Sequence, residues 1–98
     1  MKLKILASAI ADIHTGKDFY EKQASGLGEY FLDSISADID SLLLYAGVHQ
    51  KFQRYHRMLA KRFPYAIYYK VEGDVTLVWR ILDLRQNPRK TRIQLKGF

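Results

Sequence analysis

Two runs of β-branched, aromatic and aliphatic residues, Tyr65–Val71 and Val75–Leu84, flank the triplet Glu72-Gly73-Asp74. A glycine-containing turn between two such runs predicts a β-hairpin. The second run is apolar on both faces, as a strand covered on both sides would be. Asn87-Pro88 ends it. Any fold for this chain must therefore hold an antiparallel pair inside a sheet.

The remaining elements are arranged around that pair. Leu3, Ile5 and Ala7 alternate with Lys2, Lys4 and Leu6, which predicts a first strand over 2–7. Ser8 is the expected N-cap of a helix over residues 9–23, with Ile10, Ile13 and Tyr20 at helical spacing. Gly16 inside that helix implies a break or a close packing contact, since glycine disfavours helix by about 1 kcal/mol relative to alanine. After the turn at Ser25-Gly26-Leu27-Gly28, a second helix is expected over 28–46. Its stripe is Phe31, Leu32, Ile35, Ile39, Leu42, Leu43 and Ala46, and Gly47 closes it. Asp33, Asp38 and Asp40 fall outside the stripe and read as a solvated face. Residues 48–55 read as a connector or short strand, residues 56–63 as a strand, and 89–98 as a frayed basic tail. Pro64 belongs at a strand start, an edge or a bulge. The order strand, helix, helix, three strands is an α+β arrangement, with two helices on one face of an antiparallel-rich sheet. At 98 residues, 1–98 is expected to be a single domain.

Charge is placed unevenly. Residues 1–46 hold four cations and seven anions, whereas residues 47–98 hold twelve cations and three anions, within a net charge of +6. Such asymmetry suggests a polyanion or an acidic protein partner for the second half, against the plainer alternative of a solvated basic surface. Cysteine is absent, which removes thiol catalysis, disulfides and cysteine zinc sites. The apolar run after Met1 is broken by Asp12 and His14, and no stretch approaches a membrane span, so a soluble cytoplasmic protein is expected.

No phosphate-cradling glycine loop, HExxH or GxSxG motif is present. His14 and His49 read as surface residues. His56 stands beside Arg57 and is the one histidine that cations could tune as a general base, or else an exposed strand residue. Arg57, Lys61, Arg62, Arg85 and Arg89, with Lys90, form the candidate binding set, since arginine suits contact with phosphate or carboxylate. Tyr65 and Tyr69 should share a face opposite Tyr68, as core residues or as a base-stacking platform. Trp79 is most simply core.

Three segments, DFYEKQASGLGEYFLDSI at 18–35, RFPYAIYYKVEGD at 62–74 and ILDLRQNPR at 81–89, together resemble toxins of the RelE/ParE superfamily. These are the toxin half of type II toxin–antitoxin (plasmid-stabilisation) modules. The resemblance implies two helices against an antiparallel-rich sheet, a cognate antitoxin as partner, and no cofactor or metal. Nuclease members of the superfamily act on ribosome-bound mRNA; ParE-like members poison DNA gyrase without nuclease chemistry. Arg57 and Arg85 stand at basic positions of the nucleases. Leu59 and Ala66 are neutral where the nucleases carry a lysine and an arginine, and no Tyr or His follows Arg85. Losing one such electrostatic contact raises a phosphoryl-cleavage barrier by about 3 kcal/mol. The resemblance therefore implies the ParE-like branch, a growth inhibitor acting by binding gyrase. The alternative is a ribosome-dependent mRNA endonuclease using His56, Arg57 and Arg85.

Overall fold

The hairpin forms where the residue pattern places it. In a computed structural model describing residues 1–97, strands β4 (Tyr65–Glu72) and β5 (Val75–Asp83) pair antiparallel across a two-residue loop. Gly73 takes φ +61° there, a conformation that would strain a side chain. The other elements are β1 (Lys2–Ile5), α1 (Ala7–Gln23), α2 (Leu27–Asp40), α3 (Leu42–Tyr45), β2 (Lys51–Phe52), β3 (Tyr55–Leu59) and α4 (Pro88–Gln94). The sheet order is β1-β5-β4-β3-β2, with β1 parallel to β5 and every other pairing antiparallel. This is the expected α+β class, with α1 and α2 packed together and α1 lying against β5.

Strand β4 sits in the middle and is buried from Tyr65 through Tyr69. Alternation splits it as expected. Tyr65, Ile67 and Tyr69 face the helices with Phe31, Ile35 and Ile39, whereas Ala66 and Tyr68 join Tyr55, Leu82 and Leu95 in a second core. A β-bulge decides the faces of β5. Tyr68 pairs with Arg80 but Tyr69 pairs with Val78, so Trp79 is an extra residue. The bulge shifts the phase, so Val78 and Ile81 both reach the helix side while Trp79 and Leu82 reach the other. An unbroken strand could not put residues 78 and 81 on one face.

Several boundaries differ from the sequence-based expectation. The first strand stops at Ile5 and the helix starts at Ala7, one residue before Ser8. Leu6 N–H bonds to Val78 O, which turns the chain over β5, and the Ser8 hydroxyl donates to Trp79 O (2.7 Å) instead of capping. The 28–46 helix divides at Ser41 into α2 and α3. Its hydroxyl donates to Asp38 O (2.6 Å), a local bond that competes with helix continuation. Asp38 is not solvated but 4% exposed, and its carboxylate accepts the Lys61 backbone N–H (3.2 Å).

Four strands rather than three follow the helices, because Lys51–Phe52 adds a short edge. Strand β3 ends at Leu59, not at residue 63: Ala60 N–H bonds to Tyr65 O, closing a tight connection, and Pro64 directly precedes β4. The tail is also ordered through Gly97. Asn87 caps α4 by accepting from Arg89 N, Pro88 occupies the first turn, and Leu95 is buried beneath the second core. Its last residue, Phe98, lies outside the described residues.

Gly16 marks a close contact rather than a break. A Cβ placed there would lie 2.5 Å from Phe31 Cζ. Phe31 is fully buried, stacked on Tyr20 and edge-on to Phe63 and Tyr65, so it has nowhere to retreat. Gly16→Ala should therefore destabilise. Overpacking costs about 1–3 kcal/mol, more than the ~1 kcal/mol gained in helix propensity. Urea denaturation of the two proteins measures the sign; a more stable alanine variant would show that Phe31 yields.

Candidate functional site

The basic residues of the second half separate into two groups. Arg57 lies on β3, packs its guanidinium over Phe52 (5.1 Å to the ring centroid) and hydrogen-bonds the Tyr68 side chain. Burial raises the Tyr68 pKa, and the Arg57 contact opposes the rise. Arg57 and Lys61 line a groove of about 600 Å³ at the free end of β3. Asp38 and Ser41 from the helix side form its base, Val48 and His49 one wall, and Met58 and Leu59 the strand wall. Arg62 follows in the exposed β3–β4 connection.

Arg85 belongs to the second group, just beyond β5. It is bidentate to Asp83 (3.0 and 2.8 Å) and donates to the Tyr20 hydroxyl (3.2 Å) on the helix side. The Arg85 hydrogen bond is the main cause holding the Asp83 carboxyl below its usual range, and it raises the arginine in turn. Nearby Tyr65 is pushed up to about 12, first by burial and then by the Asp83 charge. Arg89 is exposed on the first turn of α4, and Lys90 shares a smaller pocket with Arg85.

The histidine set is arranged around Tyr69. The His56 ring stacks on Tyr69 (5.1 Å), and its Nδ1 bonds to His49 O (2.7 Å). The Tyr69 hydroxyl accepts Gly47 N–H and bonds to His49 Nδ1. His49 is thus a half-buried groove residue, not the surface residue its place in a connector suggested. Desolvation, then the nearby His56, lowers its pKa. Without knowing that Tyr69 faces inward opposite the 47–49 loop, no signal in the sequence separates His49 from an ordinary loop histidine.

His56, Arg57 and Arg85 are not brought together. Alternation puts His56 on the Tyr69 side of β3 and Arg57 on the Tyr68 side. Arg85 stands two strands away, beside Tyr20 of α1. Arg80, which the charge reading passed over, is the structurally engaged cation of β5. It forks onto Asp12 (2.7 and 2.9 Å) and donates to Gln94 O (2.9 Å), joining α1, β5 and α4. Among the described residues, no group of three or more His, Cys, Asp or Glu side chains could hold a metal ion, and no helix is long and apolar enough to cross a membrane.

The Asp83–Arg85 pair carries a pH dependence of definite sign. Asp83 titrates below the unfolded value of 3.8, so its contribution is present above about pH 4 and is lost as pH falls through the folded value. Asp83→Asn should lower stability at neutral pH and flatten the acid limb of a stability-against-pH curve from urea melts. An unchanged acid limb would show the pair to be inert.

Fold and site together describe a small α+β protein with a cationic surface, an apolar groove and no converged acid–base set. No family model matches the sequence, and no curated protein matches it. Among solved structures, a chain of the chromosomal ParDE TA system from P. aeruginosa is similar to it, with a TM-score of 0.73 and 20% identity. The match covers 87% of this chain and 97% of that one. At that identity the likeness is one of fold: the strand, helical excursion and mostly antiparallel sheet derived above recur there.

Proposed function

We propose that this chain is the toxin of a type II toxin–antitoxin module, a cytoplasmic protein that arrests growth by binding DNA gyrase and is neutralised by a cognate antitoxin. The observation that carries the reading is the fold shared with a ParDE chain over nearly that chain's whole length. The ParE-like direction is supported by the separation of His56, Arg57 and Arg85. Phosphodiester cleavage needs a proton acceptor and cations within hydrogen-bond reach of one phosphate. Here the His56 Nδ1 is engaged by a backbone carbonyl, and Asp83 already occupies the Arg85 fork. Arg57, Lys61 and Arg62 serve as one binding patch, and Arg85 with Arg89 as a second.

The test is a supercoiling assay with purified gyrase and this protein in excess, run beside induced expression in growing cells. Inhibited supercoiling with intact transcripts is the expected result. Unaffected gyrase at large excess removes gyrase as the target. Cleaved ribosome-bound mRNA, lost in His56→Ala, would establish the endonuclease instead. Harmless overexpression without any antitoxin would remove the toxin assignment altogether.

A further inference from the structure

The two edges of the sheet are not alike. The β1 edge carries Lys2 and Lys4, both exposed, the usual guard against strand addition. At the other edge β2 is only two residues long and pairs with Tyr55 and His56 alone. Arg57 N–H points outward to Gln50 O, which ends the cover. Antiparallel alternation then sends the Leu59 N–H and C=O to the same outward side, where no strand of this chain meets them. The exposed edge does not end in charge. It opens into the 600 Å³ groove, with the Leu59 side chain 56% exposed and Val48 72% exposed. Leu44, on the adjoining α3, is 80% exposed, the highest value among the large apolar side chains described. Isolated surface leucines need no explanation, but apolar side chains gathered beside an unpaired strand edge do.

From this juxtaposition we propose that an extended segment of an acidic protein partner adds as a strand to β3 at Leu59. Its alternate apolar side chains enter the groove and its carboxylates meet Arg57 and Lys61. The partner is the antitoxin of the proposed module, so its biological identity rests on that reading; the docking chemistry does not. Charge selects this occupant over others. A second copy of the chain would bring another +6 charge to a basic rim. A nucleic-acid backbone would gain nothing from the Leu59, Val48 and Met58 walls and would face the Asp38 carboxylate at the base. A peptide strand satisfies the Leu59 backbone, the apolar wall and the cationic rim together. A strand's two-residue period presents apolar and acidic side chains to opposite sides, as this edge requires.

The probe is a short capped peptide of alternating valine and glutamate, added to the full chain while amide hydrogen exchange is followed residue by residue. At ten times its Kd, the peptide should slow exchange at the Leu59 amide about tenfold. A valine–lysine peptide, or one N-methylated along its bonding edge, should not. Leu59→Pro removes the outward donor, and Val48→Glu places a like charge on the groove wall; each should abolish the protection while the far-ultraviolet circular dichroism stays native. Three results overturn the proposal: protection confined to other residues, equal protection in both variants, or equal protection by a mixed-sequence RNA oligonucleotide. Concentration-dependent protection of Leu59 in the chain alone would assign the edge to self-association and also overturn it. Harmless overexpression together with peptide protection would refute the toxin reading and leave the docking surface standing.

Discussion

Asp12→Ala should be among the most destabilising single substitutions in this chain, although Asp12 lies in the helix segment whose acid merely interrupts an apolar run. The carboxylate accepts three bonds: Arg80 Nε (2.7 Å), Arg80 Nη2 (2.9 Å) and the Ile81 backbone N–H (2.9 Å). Both side chains are mostly buried, at 17% exposure for Arg80 and 14% for Asp12. Removing the aspartate leaves a guanidinium without its counter-charge and a strand amide without an acceptor. Breaking a buried pair from one side costs about 3–5 kcal/mol, and the residual exposure places this case near the lower figure. A loss of about 3 kcal/mol in a domain of this size lowers Tm by roughly 12–24 °C. The double variant Asp12→Leu, Arg80→Met should recover much of the loss, because removing both charges also removes their desolvation. Thermal melts of the three proteins measure the effect. A double variant no better than Asp12→Ala would mean that the Ile81 and Gln94 backbone bonds, rather than the charge pair, hold the elements together.

Phe31→Ala should have an effect of the same size through a different cause. Phe31 is fully buried where α1, α2 and β4 meet, with Tyr20 (5.2 Å), Phe63 (5.0 Å) and Tyr65 (5.1 Å) around it. Phenylalanine-to-alanine truncations in cores cost about 3–5 kcal/mol, the spread reflecting how far the site collapses. Collapse here is resisted because the neighbours are rigid rings fixed by other contacts: Tyr20 to Arg85, and Phe63 to Tyr30. The Gly16 contact supplies a coupling test. In the Phe31→Ala background, Gly16→Ala no longer meets a ring and its sign should reverse, giving a net stabilisation of up to about 1 kcal/mol from helix propensity. Chemical denaturation of the four proteins gives the cycle; additive effects would show that the two residues do not share the space.

The parts of the fold legible from residues were those governed by local periodicity. The 65–71 and 75–84 runs, the Gly73 turn, the α2 stripe and the opposition of Tyr68 to Tyr65 and Tyr69 all follow from spacing, and all are present. Helix α4 was not legible. Pro88–Gln94 is short and largely polar, and it holds its place through carbonyls that distant side chains reach: Tyr55 Oη and Trp79 Nε1 to Leu95 O, and Arg80 Nη1 to Gln94 O. Nothing in the segment's own pattern announces those donors. The candidate site shows the same division. That Arg57 and Lys61 belong to one patch was readable from their nearness in sequence. The groove they share with Asp38, Val48 and His49 was not, because it joins segments some twenty residues apart.

What the sequence by itself determined, then, is the set of strands and helices, the basic second half and the absence of nuclease cations at Leu59 and Ala66, since composition and periodicity are properties of the chain alone. The tertiary structure decided which of those residues meet. The bulge at Trp79 sets the faces of β5, the parallel docking of β1 sends α1 across it, and the early end of β2 leaves Leu59 uncovered. Each of these depends on pairing between residues far apart in the chain, and such pairing is chosen by the packing of the whole sheet rather than by any local preference.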